Sequence, residues 1–441
     1  MKIIIGNIVT LNTGDAAILI ATIEMLKATF GQDLEVVVYD RQPDAAAKLY
    51  PDIVFRRWPY LSFGHYLNPT VTRKRLRWWH GLRLWLGEML LRYKLAVLAQ
   101  ILLTAEEQTL LEDHQSADLA ISGGGTYLVE NYDMTPRIFD YNLVLRWGCP
   151  LAFFTQSLGP FTKPIIRAAL KPIFNQAIAI LVRGQASQDH LLDLGIDPSL
   201  IHIMADAAFA LGDLATIRAA AQAPAQPLQR VAISVRDWSH FKTMDAETGM
   251  KRYIAAFQAL TTYLVTHHRV QVTYLSTCQG IPDYWLDDSA VAVQIVSGLA
   301  DVVRSAVTVD RKFRPPRKLM AALQSFDLVI PTRMHMAILS LSMGVPVFPI
   351  AYEFKTQELF TKLGQQNWVQ DIETLEAETL IRQVDAYWAA LPDQRAALFA
   401  GVEQEYHRAW EAAHVLRQAY DRYRARSSPQ LHRSQPSTTH A

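Results

Sequence analysis

Lys2-Ile3-Ile4-Ile5-Gly6, followed by the loop Asn7 to Thr13 and then Gly14-Asp15, decides how the rest of the chain reads. Three isoleucines in a row, closed by glycine, spell a strand buried on both faces. Ala16–Phe30, which follows, has the length and composition of a helix. Strand, glycine-bearing loop and helix together form the opening unit of a parallel α/β sheet. A glycine at the start of a helix suits an anion or a close backbone approach. The loop is not GxGxxG, so the dinucleotide fingerprint is absent. The plainer reading is a tight turn with Thr13 or Asp15 as the N-cap.

The unit recurs. Leu34–Asp40, Asp118–Ser122, Leu151–Gln156 and Ile178–Arg183 are further apolar runs, and Lys163–Ala177 is helix-like. The pattern restarts with strands at Arg230–Val235 and Val270–Ser276, separated by a helix over Lys251–His267. Val291–Val296, Asp327–Ile330 and Pro346–Ile350 read as more strands. The Ala-, Gln- and Pro-rich stretch between Leu214 and Arg230 reads as a linker. The expectation is an α/β chain of two Rossmann-like doubly wound domains facing a cleft. Residues 1–213 form the first and 229–423 the second; the polar stretch 424–441 is expected to be disordered.

Bulk properties agree. A chain of 441 residues exceeds one ordinary core. Lys plus Arg (43) balances Asp plus Glu (42), so no global field favours nucleic acid. Two cysteines, Cys149 and Cys278, are too few for a disulfide framework and fit a reducing compartment. No clustered His/Cys/carboxylate set suggests a metal. The first apolar run is too short for a signal-peptide core, and no uncharged stretch is long enough to span a bilayer. The expected location is cytoplasmic.

In open α/β sheets ligands bind beyond the carboxyl ends of the strands, so the residues there are the candidates. Gly123-Gly124-Gly125-Thr126 would let a ligand approach backbone N–H groups. Gln156 and Ser157 could orient a hydroxyl, and Arg183 faces the cleft or pairs with Asp189. In the second half the strand ends deliver Arg236, Ser276, Arg333 with His335, and Lys355. Arginine forks suit carboxylate and phosphate. His335, at a helix start two places after Arg333, is a candidate acid or base.

In this order these pieces resemble the polysaccharide pyruvyltransferase family. The resemblance rests on Asn12-Thr13-Gly14-Asp15, Gly123-Gly124-Gly125, Gln156-Ser157-Leu158-Gly159-Pro160, Ala205-Asp206-Ala207-Ala208-Phe209, Ser234-Val235-Arg236 and Arg333-Met334-His335 followed by Gly344-Val345-Pro346-Val347. It runs from about Met1 to about Leu363. Met334, Gly184 and Ala207 stand where the family pattern has Leu, an acidic residue and Pro. The resemblance implies the GT-B architecture and transfer of a pyruvyl group from phosphoenolpyruvate to a sugar as a ketal. It implies a donor site of Arg236, Arg333, His335, Lys355 and Ser276, with His335, Arg333 and Asp15 catalytic. Asn12, Gly14, Gly123, Gly124, Gly125 and Gln156 would face the acceptor. Asp206 is a second candidate for activating the sugar hydroxyl. No cofactor is implied, phosphoenolpyruvate being a co-substrate.

Residues 73–103 differ in character. Arg73, Lys74, Arg75, Arg77, Arg83, Arg92 and Lys94 are interleaved with Trp78, Trp79, Trp85 and leucines, with Glu88 the lone acid from Arg73 to Lys94. Such a helix either packs its Leu/Trp face on the first domain or lies on an anionic membrane, where a lipid-linked acceptor would be met. Two other functions fit the architecture: a glycosyltransferase using a nucleotide sugar, and a non-catalytic scaffold, which would not need the Arg333/His335 pair.

Overall fold

The computed structural model describes residues 1–68, 70, 72–224 and 226–427. Eight parallel strands make the first sheet: β1 Lys2–Gly6, β2 Glu35–Asp40, β3 Val54–Arg57, β4 Leu119–Ser122, β5 Gly125–Leu128, β6 Leu151–Leu158, β7 Ala179–Val182 and β8 Ile201–Ile203. Their order is β3-β2-β1-β4-β6-β7-β8, with β5 beside β6. Four parallel strands make the second: β9 Arg230–Ser234, β10 Gln271–Tyr274, β11 Val307–Val309 and β12 Leu328–Pro331, in the order β11-β10-β9-β12. Val347 extends that sheet by a bridge to Val329.

The isoleucine run of β1 shows why the first sheet is covered on both faces. Ile3 and Ile5 point into one core with Ile18, Met25 and Leu26 of the helix Thr13–Phe30. Ile4 points into another with Leu110, Leu111 and Leu143. Each fully buried side chain of this kind contributes about 1.5–3 kcal/mol, so period-two alternation sets the register. In both sheets the strand order reverses beside the first strand, between β1 and β4 and between β9 and β12. Those switch points open the crevices in which ligands of doubly wound sheets bind.

A 51-residue helix, Ala377–Ser427, ties the halves together. Its early turns put Tyr387 against Phe348 and Trp368 of the second half. Its late turns put Tyr420 edge-on to Phe30, and Tyr423 donates to the Gly148 carbonyl at 3.2 Å in the first half. The orientation of the cleft is therefore braced by one element.

Several local expectations are corrected. Val291–Val296 is part of a helix, Asp288–Ser297, because its inward residues Val291, Ala292 and Ile295 recur at helical spacing. The strand of that unit is β11, three residues and so too short to stand out. β3, β5 and β8 are likewise short. Half of the expected linker is the helix Leu214–Ala221, capped by Asp213. The long helix runs through Arg424 to Ser427, past the expected start of the disordered tail; the rest of that tail lies outside the described residues.

Candidate active site

The site is built where the two crevices face each other. On the first domain, Asn12 rather than Thr13 or Asp15 is the N-cap, accepting from Gly14 N at 2.9 Å. Thr13 N donates to Thr277 O at 2.9 Å and its hydroxyl to Arg314 O at 2.9 Å. The helix start is therefore docked on the second domain, and its first N–H groups are already engaged rather than open to an anion. Gly14 lets a ring from the second domain come close: a Cβ there would lie 2.7 Å from Cβ of His335.

His335, second residue of the helix Met334–Leu341, thus reaches across the cleft. Its Nε2 is 3.4 Å from Asp206 Oδ2, and Arg183 Nη1 is 2.8 Å from the same oxygen. Arg183 therefore pairs with Asp206, not with Asp189, and its Nε donates to Thr155 O at 2.6 Å. Burial would raise the Asp206 carboxyl, but the charge of Arg183 and the His335 contact outweigh it and hold it well below the usual range. The terminal nitrogens of Arg183, Asp206 Oδ2 and His335 Nε2 are buried at ion-pair range without hydrogen-bond alignment. Arg183 and Asp206 line an interdomain cavity with Ser157, Lys355, Glu358 and Lys362. Gly184 belongs to this wall. A Cβ there would sit 2.0 Å from Glu358 Oε1, so an acidic side chain of the second domain occupies the space beside the glycine.

The cations of the second domain are not equivalent. Arg333 is buried and forms a two-pronged pair with Asp288, at 2.9 Å from Nε and 2.7 Å from Nη2. Ser276 donates to the same carboxylate at 2.5 Å. Burial would weaken the Arg333 charge, yet Asp288 holds its pKa well above normal. Expected as a donor clamp, Arg333 has two of its three guanidinium nitrogens taken up in a buried ion pair, and Ser276 belongs to the same network. Cys278 beside them is fully buried, and that burial pushes its thiol up to about 12, far from a thiolate nucleophile.

Arg236 is different. Its guanidinium lies 3.9 Å from the Tyr352 ring centre and 4.6 Å from that of Trp238. Nε donates to the Asp237 carbonyl at 3.3 Å, and no terminal nitrogen has a protein partner among the described residues. Two rings therefore hold the plane while the fork stays available. Lys355 stands nearby, 2.7 Å from Glu353 and 3.5 Å from Thr126 Oγ1 of the first domain. Burial would lower its pKa, but Tyr352 and Glu353 push it up to about 12.

The acceptor-side expectations need correction. Gln156 is 1% exposed, and its Nε2 donates to Ser122 O, Ser122 Oγ and Gly123 O at 2.9, 2.6 and 2.8 Å. It braces the end of β4 from within. Gly123, Gly124 and Gly125 are buried too. A Cβ on Gly123 would meet Ile8 at 2.8 Å, and one on Gly124 would meet Ile18 at 2.6 Å and Arg183 at 3.0 Å. At Gly123 and Gly124 it is the core that comes close, and Gly125 has a positive φ of 142°. Asn12 is engaged as the helix cap. Asp15 is buried against Tyr127, whose hydroxyl is pushed well up by burial first and by the Asp15 carboxylate next. Sequence reasoning did not single out Asp288 or Tyr127. Their only signals are positions at a helix start and just past the glycines.

The family model for polysaccharide pyruvyl transferase matches residues 12–353. The chain belongs to that family. It is 27% identical over 297 residues to the amylovoran biosynthesis protein AmsJ of Erwinia amylovora, covering 65% of this chain and 69% of that protein. Solved structures of similar fold include S. aureus MnaA with UDP (TM-score 0.57, 10% identity, 96% of this chain and 97% of that one). Anabaena Alr3699/HepE with UDP is another (0.53, 13%, 96% and 100%). At such identity the likeness shows the fold alone, which is GT-B. The chain is a pyruvyltransferase of polysaccharide biosynthesis, and among its described residues no helix is long and apolar enough to cross a membrane.

Proposed function

We propose that this pyruvyltransferase takes its pyruvyl group from phosphoenolpyruvate and closes it as a ketal across two hydroxyls of a sugar in a surface polysaccharide or its lipid-linked precursor, at the inner face of the cytoplasmic membrane. The observation that carries the reading is the cross-domain position of His335, packed on Gly14 and facing the Arg183–Asp206 pair. A proton goes to the methylene carbon of the donor, which becomes the methyl group. One sugar hydroxyl adds to the oxocarbenium-like carbon and loses its proton. The carbon–oxygen bond to phosphate then breaks, the second hydroxyl adds to the carbon, and its proton leaves with inorganic phosphate. His335 is the acid that delivers the first proton, with Asp206 orienting its ring. Arg236 and Lys355 hold the carboxylate and phosphate, and the Arg333–Asp288 pair fixes the helix that carries His335. Asp15, buried at the helix start beside Gly14, takes a hydroxyl proton.

Glu353 is paired with Lys355 at 2.7 Å, so that carboxylate is already engaged and not free for the ribose of a nucleotide sugar. The test is calorimetric titration with phosphoenolpyruvate and with UDP- and GDP-sugars, on the wild type and on Arg236→Ala. Arg236 is the better probe than Arg333, whose removal would strand the buried Asp288 carboxylate. Phosphoenolpyruvate binding that weakens in the variant supports the reading. Binding of a nucleotide sugar in its place overturns it.

A further inference from the structure

The basic, tryptophan-rich stretch folds as two helices, Lys74–Arg92 and Ala96–Leu102. Leu84, Gly87, Glu88 and Leu91 form the buried face of the longer one, and Glu88 pairs with Arg146 at 3.1 Å. The first domain is thus satisfied by leucines, and the tryptophans point away from it. Trp78, Leu82, Trp85, Leu86, Met89 and Tyr93 recur at helical spacing on the opposite side. Trp78 is 67% exposed, Trp79 55% and Trp85 52%. The short helix adds Val97 at 76% and Ile101 at 78%. Ten of the twenty exposed large hydrophobic side chains among the described residues lie between Leu76 and Ile101, so the exposure is one patch and not scatter.

The unpaired charges of this segment are of one sign. Arg83 is tied to Glu107 and Arg92 to the Arg146 carbonyl, but Arg73, Lys74, Arg75 and Lys94 are exposed with no partner among the described residues. A helix apolar on both sides, with outward tryptophans and a rim of unpaired cations, has the make-up of a segment lying in a membrane interface. A second copy of the chain fits poorly. A two-fold contact would bring the cationic rims of both copies together with no acid between them. The helix that carries the patch, Lys74–Arg92, is also linked to the carboxyl end of β1. The long helix packs on the turn Gly64–Leu67, which continues from Trp58 and the helix Pro59–Ser62. Arg137 lies over the Trp58 ring and donates to Asn7 at the end of β1 at 2.5 Å.

We infer that Trp78, Trp79, Trp85 and the apolar face of Ala96–Leu102 insert into an anionic lipid surface, with Arg73, Lys74, Arg75 and Lys94 on the headgroups, so that the first-domain side of the cleft meets a lipid-borne acceptor. This rests on the reading that the acceptor is lipid-linked, and it is tested without any substrate. The full chain is floated with phosphatidylglycerol/phosphatidylcholine vesicles and with pure phosphatidylcholine vesicles, and its tryptophan emission is recorded. Expected are binding to the anionic vesicles with a blue shift, and much weaker binding to the neutral ones. Replacing Trp78, Trp79 and Trp85 with serine should abolish the shift. Lys74→Glu with Arg75→Glu, which leaves the apolar face intact, should lower partitioning on the order of tenfold or more. Both variants should keep the wild-type melting temperature and the wild-type affinity for phosphoenolpyruvate. No flotation with anionic vesicles at low salt overturns the inference. So does a wild-type dimer that the triple variant converts to a monomer. Loss of phosphoenolpyruvate binding by the wild type would instead overturn the donor reading and leave the surface standing.

Discussion

Gln156 lies near the carboxyl end of β6 in the first sheet, and Arg236 just past that of β9 in the second. In the first domain the Gln156 amide is turned inward, with three hydrogen bonds to Ser122 and Gly123, and the glycines it braces are buried. In the second, Arg236 is held by ring faces that leave its terminal nitrogens unengaged. Strand-end position selects candidates, and the fate of the polar atoms separates scaffold from site. By that criterion the second domain presents an unengaged cation, and the first presents a wall through which Asp206 and Gly14 meet His335.

The sharpest way to break this division is His335→Ala. Loss of a positioned acid should lower turnover about 10²–10⁴-fold with the fold retained, read as phosphate release and far-UV dichroism. Turnover at the wild-type rate would move the acid elsewhere. Next comes Asp288→Ala, which leaves Arg333 as an uncompensated buried charge. A loss of about 3–5 kcal/mol is expected in chemical denaturation. A variant that stays fully stable but loses phosphoenolpyruvate affinity would instead put Asp288 with the ligand-binding groups. Arg236→Ala should behave oppositely. Removing charged hydrogen bonds to the donor costs about 1.5–3 kcal/mol of binding, on the order of ten- to a hundredfold in KM, at unchanged melting temperature.

Much of this was legible in the sequence. The isoleucines of β1 and the apolar runs of β4, β6 and β7 announce a parallel sheet because strands buried on both faces need no alternation. Strands of three or four residues such as β8 and β11 carry too few positions to show a period. Arg333 and His335 were visible as a helix start, but the partner that occupies Arg333 was not. Asp288 lies 45 residues away in a segment whose valines read as a strand. Arg183 showed the same limit. Its neighbour Asp189 is the obvious partner in sequence, while the fold brings Asp206 to it from the end of β8. The glycines misled for a related reason: a glycine signals that something comes close, and the sequence does not say whether it is ligand or core.

The smallest effects separate those two meanings of glycine. Alanine at Gly124 would drive its Cβ to 2.6 Å from Cγ2 of Ile18 and 3.0 Å from the Thr155 carbonyl. Ile18 is fully buried and branched, so neither neighbour yields without moving the core. Gly124→Ala should cost about 1–3 kcal/mol of stability. Alanine at Gly184 meets a nearer atom, Glu358 Oε1 at 2.0 Å, but that carboxylate ends a flexible side chain and the backbone at 184 is extended, with φ −158°. Glu358 can swing aside, so Gly184→Ala should change stability by no more than about 0.5 kcal/mol. Its consequence belongs in the cavity that Glu358 lines with Lys355 and Arg183, as a change in KM for phosphoenolpyruvate. If Gly184→Ala unfolded the protein while Gly124→Ala altered only KM, the assignment of scaffold to the glycine strand end and of site to the interdomain wall would have to be reversed.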